Sequence, residues 1–443
     1  MPPGERGGYN PEQLIPSEPT QPKDILAELD AQSVEIKKRR SLKITRPSNV
    51  RGPERKVDAK RPEQERNLIV RFEREEILRI YKLLREKGAH AGKSSEGKPS
   101  ELLKRFRERA KQLERNLDLL SEQLYKNVRP VQIEDADIGQ HVVPVAELCL
   151  PDDQRERTDK DTPYVTLAGI ATNHHQQAAL AMAMALQGKR VFAMTHPGNA
   201  LAKTPKDWAK HVRQDGTYRL QAKVLQEAVK KLGLKEFHMV GYSMGASVAL
   251  KAARDPEFSR AAKEIDLIEP LGFENLGLAR LGYRFLGKET VGVMRDPESK
   301  LKAFLSGNKT TGLPGGPFIA DAFALSKEQF TVRELAELRP EGKLRIWTMS
   351  QSTLVDVAAV RGKIAAANEL REGATANHPI EFYTVEGDTH STPLIHANGF
   401  ASMLEHGPGV PSGDEVSIAQ LDNSAARALF RGVVDAESRK ERI

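Results

Sequence analysis

Gly241-Tyr242-Ser243-Met244-Gly245 joins two segments of different periodicity. Phe237-His238-Met239-Val240 before it is short, apolar and β-prone, and Ala246-Ser247-Val248-Ala249-Leu250 after it opens an Ala-rich helical run. A strand that turns into a helix through so short a corner leaves no space for Cβ atoms, and the two glycines remove them. The serine between them is thereby predicted to sit on a tight, strained turn with its hydroxyl outward. Such a corner needs a sheet behind it and a helix beside it, which restricts the chain to a layered α/β arrangement.

The rest of the central chain agrees with that restriction. Residues 142–150, 164–168, 190–194, 265–268, 344–348 and 380–385 read as further strands, with helical runs at 175–186 and 220–232 among them. Strands separated by helices predict a mostly parallel sheet covered on both faces, with ligands bound at the carboxyl ends of the strands. Ser243 lies at one such end.

The 443 residues are only 39% hydrophobic, low for one compact domain of that length. The +7 net charge is concentrated in residues 1–130, and the remainder is slightly acidic. Residues 1–66 read as a disordered basic arm, in which Lys37-Lys38-Arg39-Arg40 offers contact with nucleic acid or an acidic membrane beside the plainer reading of a solvated tail. Residues 67–130 read as a helical hairpin. Its second helix carries Leu103, Phe106, Ala110, Leu113, Leu117, Leu120 and Leu124 at steps of three and four, ended by Pro130. That stripe serves either packing on the main domain or self-association and partner docking, in the manner of a coiled coil. Cys149 is the sole cysteine, which excludes an intrachain disulfide and a thiol metal cluster. No apolar leader and no membrane-length apolar run is evident, so the expectation is a soluble cytoplasmic protein without a transmembrane segment.

Residues 160–406 resemble the α/β-hydrolase family, the serine esterases and lipases. The resemblance rests on the strand–elbow–helix around Ser243, on Gly169-Ile170 after strand 164–168, on His196-Pro197-Gly198 after strand 190–194, and on Gly387-Asp388-Thr389-His390 after the last strand. It implies a hydrolase domain over 140–406, with a helical cap inserted at about 270–343 and a short-helix tail over 407–443. It also implies catalytic roles for particular residues. Ser243 would be the nucleophile and His390 the base, with the amides of Met244 and Ile170 as oxyanion donors. A serine hydroxyl is a poor nucleophile at neutral pH, so a histidine must take its proton as it attacks a carbonyl. Preplaced N–H groups must then meet the charge that develops on oxygen. No cofactor and no metal is required. The adjacent His174 and His175 lack a second ligand cluster, and are read as pocket-shaping or solvent-facing residues.

The triad acid has two candidates. In the family's usual place, after strand 344–348, alignment puts Ser352, and Asp356 lies four residues late. Glu269, just after strand 265–268 and before Pro270, is the alternative and is placed first. The reading that follows is a serine hydrolase of a small-molecule carboxylic ester or thioester, acting through an acyl-enzyme. The rival expectation is a catalytically weak or inactive hydrolase-fold scaffold whose N-terminal helices engage a partner.

Overall fold

The computed structural model describes residues 74–82, 101–151, 162–167, 169–170, 178–197, 202–274, 276–284, 316–338, 342–372, 378–387, 390 and 392–440. The expected basic arm with Lys37–Arg40, His174 and His175, and residues 285–315 of the expected cap lie outside these residues.

Nine strands form one sheet in the order β1-β2-β4-β3-β5-β6-β7-β8-β9. They are β1 (Val128–Asp135), β2 (Gly139–Leu148), β3 (Tyr164–Leu167), β4 (Val191–Met194), β5 (Phe237–Tyr242), β6 (Ala262–Ile268), β7 (Leu344–Met349), β8 (Glu381–Val385) and β9 (Glu415–Val416). β1 and β2 pair antiparallel, as do β2 and β4, and every pairing from β4 through β9 is parallel. β3, β4 and β7 are buried at every residue, because helices cover both faces; β1 alternates between buried and open positions at the edge of the sheet. Alternate residues of one strand enter opposite cores. Met239 of β5 packs with Val165, Ile265 and Ile346 on one face, while Val240 and Tyr242 pack with Tyr164, Ile268 and Trp347 on the other.

The sheet extends beyond the expected domain boundaries at both ends. The helix expected to run to Pro130 stops at Lys126, and Pro130 lies within β1, opposite Pro144 of β2. Proline is tolerated there because an edge strand does not need every N–H for pairing. The expected boundary at 140 therefore falls inside β2. At the other end, residues 407–443 are not a tail apart from the domain: β9 adds to the sheet through Val385 and Val416, and the helix Ile418–Lys440 buries Leu421, Ala425, Leu429 and Phe430.

The apolar stripe of the N-terminal helices is covered by the chain itself. Phe106, Ala110, Leu113, Leu117, Leu120 and Leu124 of the helix Glu101–Lys126 are all buried, in one core with Ile77, Ile80, the helix Ala178–Leu186 and the C-terminal helix. Phe106 meets Phe430 edge-to-face at 5.6 Å, and Arg79 grips Asp422 through two bonds of 2.6 and 2.7 Å. Of the two readings of that stripe, the buried positions support packing on the main domain. A three–four repeat specifies an apolar face, and burial of that face is satisfied as well by the chain's own helices as by a second copy.

Candidate active site

The corner after β5 is the expected tight turn, but Ser243 is buried rather than exposed. Ser243 has φ 55° and ψ −123°, and the helix Met244–Ala252 begins at the next residue. Its N–H bonds Ile268 O at 2.8 Å, and its own carbonyl accepts from Ala246 at 3.0 Å, so both sides of the turn are tied. A Cβ on Gly241 would stand 2.6 Å from Ala246 Cα and 2.7 Å from Gly245 O, which explains glycine at that position. Gly169 lies against the serine, since a Cβ there would be 3.4 Å from Ser243 Oγ. Ile170 follows it and is buried. Met244 opens the helix, and its N–H belongs to the first turn, where a helix has no acceptor of its own.

Glu269 is the other strained residue. Among the described residues only Ser243 and Glu269 have positive φ without being glycine, Glu269 at 53°. Backbone strain persists only where the surroundings over-determine it, and here they do. The Glu269 N–H bonds Trp347 O at 2.7 Å, Oε1 accepts from the Met349 N–H at 2.7 Å, and Oε2 accepts from Ser352 Oγ at 2.6 Å. The carboxylate is fully buried, and His390 Nδ1 lies 2.8 Å from Oε2. A carboxylate only accepts, so Nδ1 carries the proton and Nε2 keeps its lone pair. Nε2 is buried and has no hydrogen-bond partner among the described residues. Tyr242, next to Ser243, donates its hydroxyl to His390 O at 2.7 Å, with its ring 5.1 Å from the imidazole.

Of the two candidate acids, Glu269 is brought to His390. Asp356 instead accepts from the Ala359 N–H at 3.0 Å, capping the helix Val357–Glu372. Ser352 fills the slot where the family resemblance would put an acid, and hydrogen-bonds Glu269. Nothing in the sequence marks that contact, because it joins residues 83 positions apart.

A second polar group lies at the same edge of the sheet. Met194 of β4 and Gly241 of β5 both pair with Leu167 of β3, so His196 emerges level with Ser243 and two strands away, about 10 Å at ordinary strand spacing. His196 Nδ1 is 4.0 Å from Asp321, which sits on the cap-region helix Gly316–Lys327 and accepts from Gln221 at 2.9 Å. The pair was missed in the sequence, although a lone Asp in the apolar run Phe318-Ile319-Ala320-Asp321-Ala322-Phe323 is a legible signal.

Burial pushes His196 down to about 4 from 6.5 and Asp321 up to about 8 from 3.8. His196 therefore contributes stability above pH 6.5 that is lost as pH falls towards 4. Asp321 contributes stability below pH 3.8 that is lost as pH rises towards 8. The two oppose one another up to 6.5, and from 6.5 to 8 Asp321 acts alone. The expected result is a loss of about 2 kcal/mol across that window, absent in Asp321→Asn. Urea unfolding of both proteins at the two ends of the window checks this, and parallel curves would disprove it.

Among the described residues no three His, Cys, Asp or Glu side chains are grouped as a metal ion needs, and no helix is long and apolar enough to cross a membrane.

Residues 165–266 match the model of the alpha/beta hydrolase fold, from β3 into β6. No curated protein matches the chain. Among solved structures, it is similar to an esterase from Exiguobacterium antarcticum (14% identity over 62% of this chain and 98% of that one, TM-score 0.43). It is also similar to a bromoperoxidase from Bacillus anthracis (10%, 63% and 98%, TM-score 0.47). A third is the enol-lactonase from Burkholderia xenovorans LB400 (11%, 60% and 95%, TM-score 0.43). The chain has the α/β-hydrolase fold, a mostly parallel sheet with helices on both faces and the Ser243 corner after β5.

Proposed function

We propose that this α/β-hydrolase-fold chain is a serine hydrolase that cleaves a carboxylic ester or thioester through an acyl-enzyme. The observation that carries the reading is the 2.8 Å contact of Glu269 with His390 Nδ1, which leaves the Nε2 lone pair unused in a buried site. In this reading Nε2 takes the proton of Ser243 Oγ as the oxygen attacks the substrate carbonyl. The tetrahedral oxyanion meets the amides of Met244 and Ile170, each worth roughly 3 kcal/mol. The imidazolium then gives its proton to the leaving oxygen or sulfur. Water, deprotonated by the same Nε2, releases the acid and regenerates the serine. Glu269 holds the ring in the tautomer that both proton transfers need.

The scaffold alternative loses ground on two observations. An acid stands at His390, and the apolar stripe of the N-terminal helices is occupied within the chain. The test is a fluorophosphonate probe. The wild type is expected to be labelled stoichiometrically at Ser243 and Ser243→Ala not at all; an unlabelled, folded wild type would sink the reading.

A further inference from the structure

We propose that Ser352 is a positioning residue for the triad acid, holding the Glu269 carboxylate aimed at His390. The inference rests on the serine-hydrolase reading above. Three hydrogen bonds fix the direction of the Ser352 hydroxyl. Its oxygen accepts from the Leu354 N–H at 3.3 Å and from the Val355 N–H at 3.1 Å, which uses its lone pairs. Its single proton is then left for Glu269 Oε2, 2.6 Å away. That oxygen is the one that faces His390 Nδ1 at 2.8 Å, so one carboxylate oxygen receives both bonds while Met349 holds the other. The turn after β7 that would otherwise carry an acid thus carries the hydroxyl that orients an acid from β6.

Among the described residues, removing the hydroxyl leaves Oε2 with His390 as its one remaining donor. The carboxylate then loses one of the bonds that fix its orientation, and the imidazole is held less firmly in the orientation and tautomer that the reaction needs. The readout is the rate of Ser243 labelling by the fluorophosphonate probe, which requires no knowledge of the natural substrate. Ser352→Ala is expected to slow labelling about tenfold. Ser352→Thr, which keeps the hydroxyl, should restore the rate. If the serine only stabilises its turn, Ser352→Ala will lower the melting temperature and leave the labelling rate of the folded protein where it is, and that result overturns the proposal. Failure of wild-type labelling would instead remove the serine-hydrolase reading, and this inference with it.

Discussion

Glu269→Gln should slow the labelling of Ser243 by about 10⁴, while Asp356→Asn leaves it near the wild-type rate. The amide is isosteric with the carboxylate, so the fold survives, and the Met349 contact survives with it when the amide oxygen faces the Met349 N–H. What changes is the partner of Nδ1. If a glutamine presents its NH₂ to His390, Nδ1 becomes the acceptor and Nε2 the protonated nitrogen, the wrong tautomer for taking a proton from a serine. Presenting its oxygen instead preserves the tautomer but supplies no negative charge to the imidazolium that forms. Asp356 is spent on capping a helix, and asparagine is as good a cap. Equal rates for the two variants, or a larger loss in Asp356→Asn, would show the acid to be misassigned.

Gly241→Ala is the second large effect. The added methyl would meet backbone on all sides: Ala246 Cα at 2.6 Å, Gly245 O at 2.7 Å and Ala246 N at 2.8 Å. No side chain can swing away to relieve it, so β5 or the first turn of the helix must move. A cost of about 3 kcal/mol is expected, together with loss of Ser243 labelling, because the serine's strained turn lies between the two displaced elements. Gly233→Ala provides the comparison. Gly233 also has a positive φ, at 72°, but a Cβ there meets nothing within 4 Å. It should cost only the backbone strain, roughly 1 kcal/mol, and leave labelling intact. Thermal unfolding and probe labelling of the two variants separate steric crowding at the corner from a general penalty on glycine replacement; similar losses in both would refute the crowding argument.

The legible parts of the site share a physical origin. The corner at Ser243 could be read because the constraint is local: glycines two residues before and after the serine, a β-prone run on one side and a helical run on the other. The same holds for the buried strands β3 to β8, whose near-continuous apolar runs follow from helices on both faces. β1 was hidden because Pro130 reads as the end of a helix, and only its place at the sheet edge makes it compatible with a strand. The C-terminal residues were hidden for a related reason. A two-residue strand such as β9 has no periodicity to detect, and it exists through its pairing with β8.

By itself, then, the sequence determined that Ser243 stands on a tight strand-to-helix corner of a parallel α/β sheet, and that His390 follows its last long strand. It left two candidates for the acid, with Glu269 placed ahead of Asp356. The contact of Glu269 with His390, the helix cap made by Asp356, the hydroxyl of Ser352 against Glu269, and the covering of the N-terminal apolar stripe belong to the tertiary structure. Turns and periodicities depend on neighbours a few positions apart. Hydrogen bonds between residues 83 and 121 positions apart depend on how the sheet brings strand ends together.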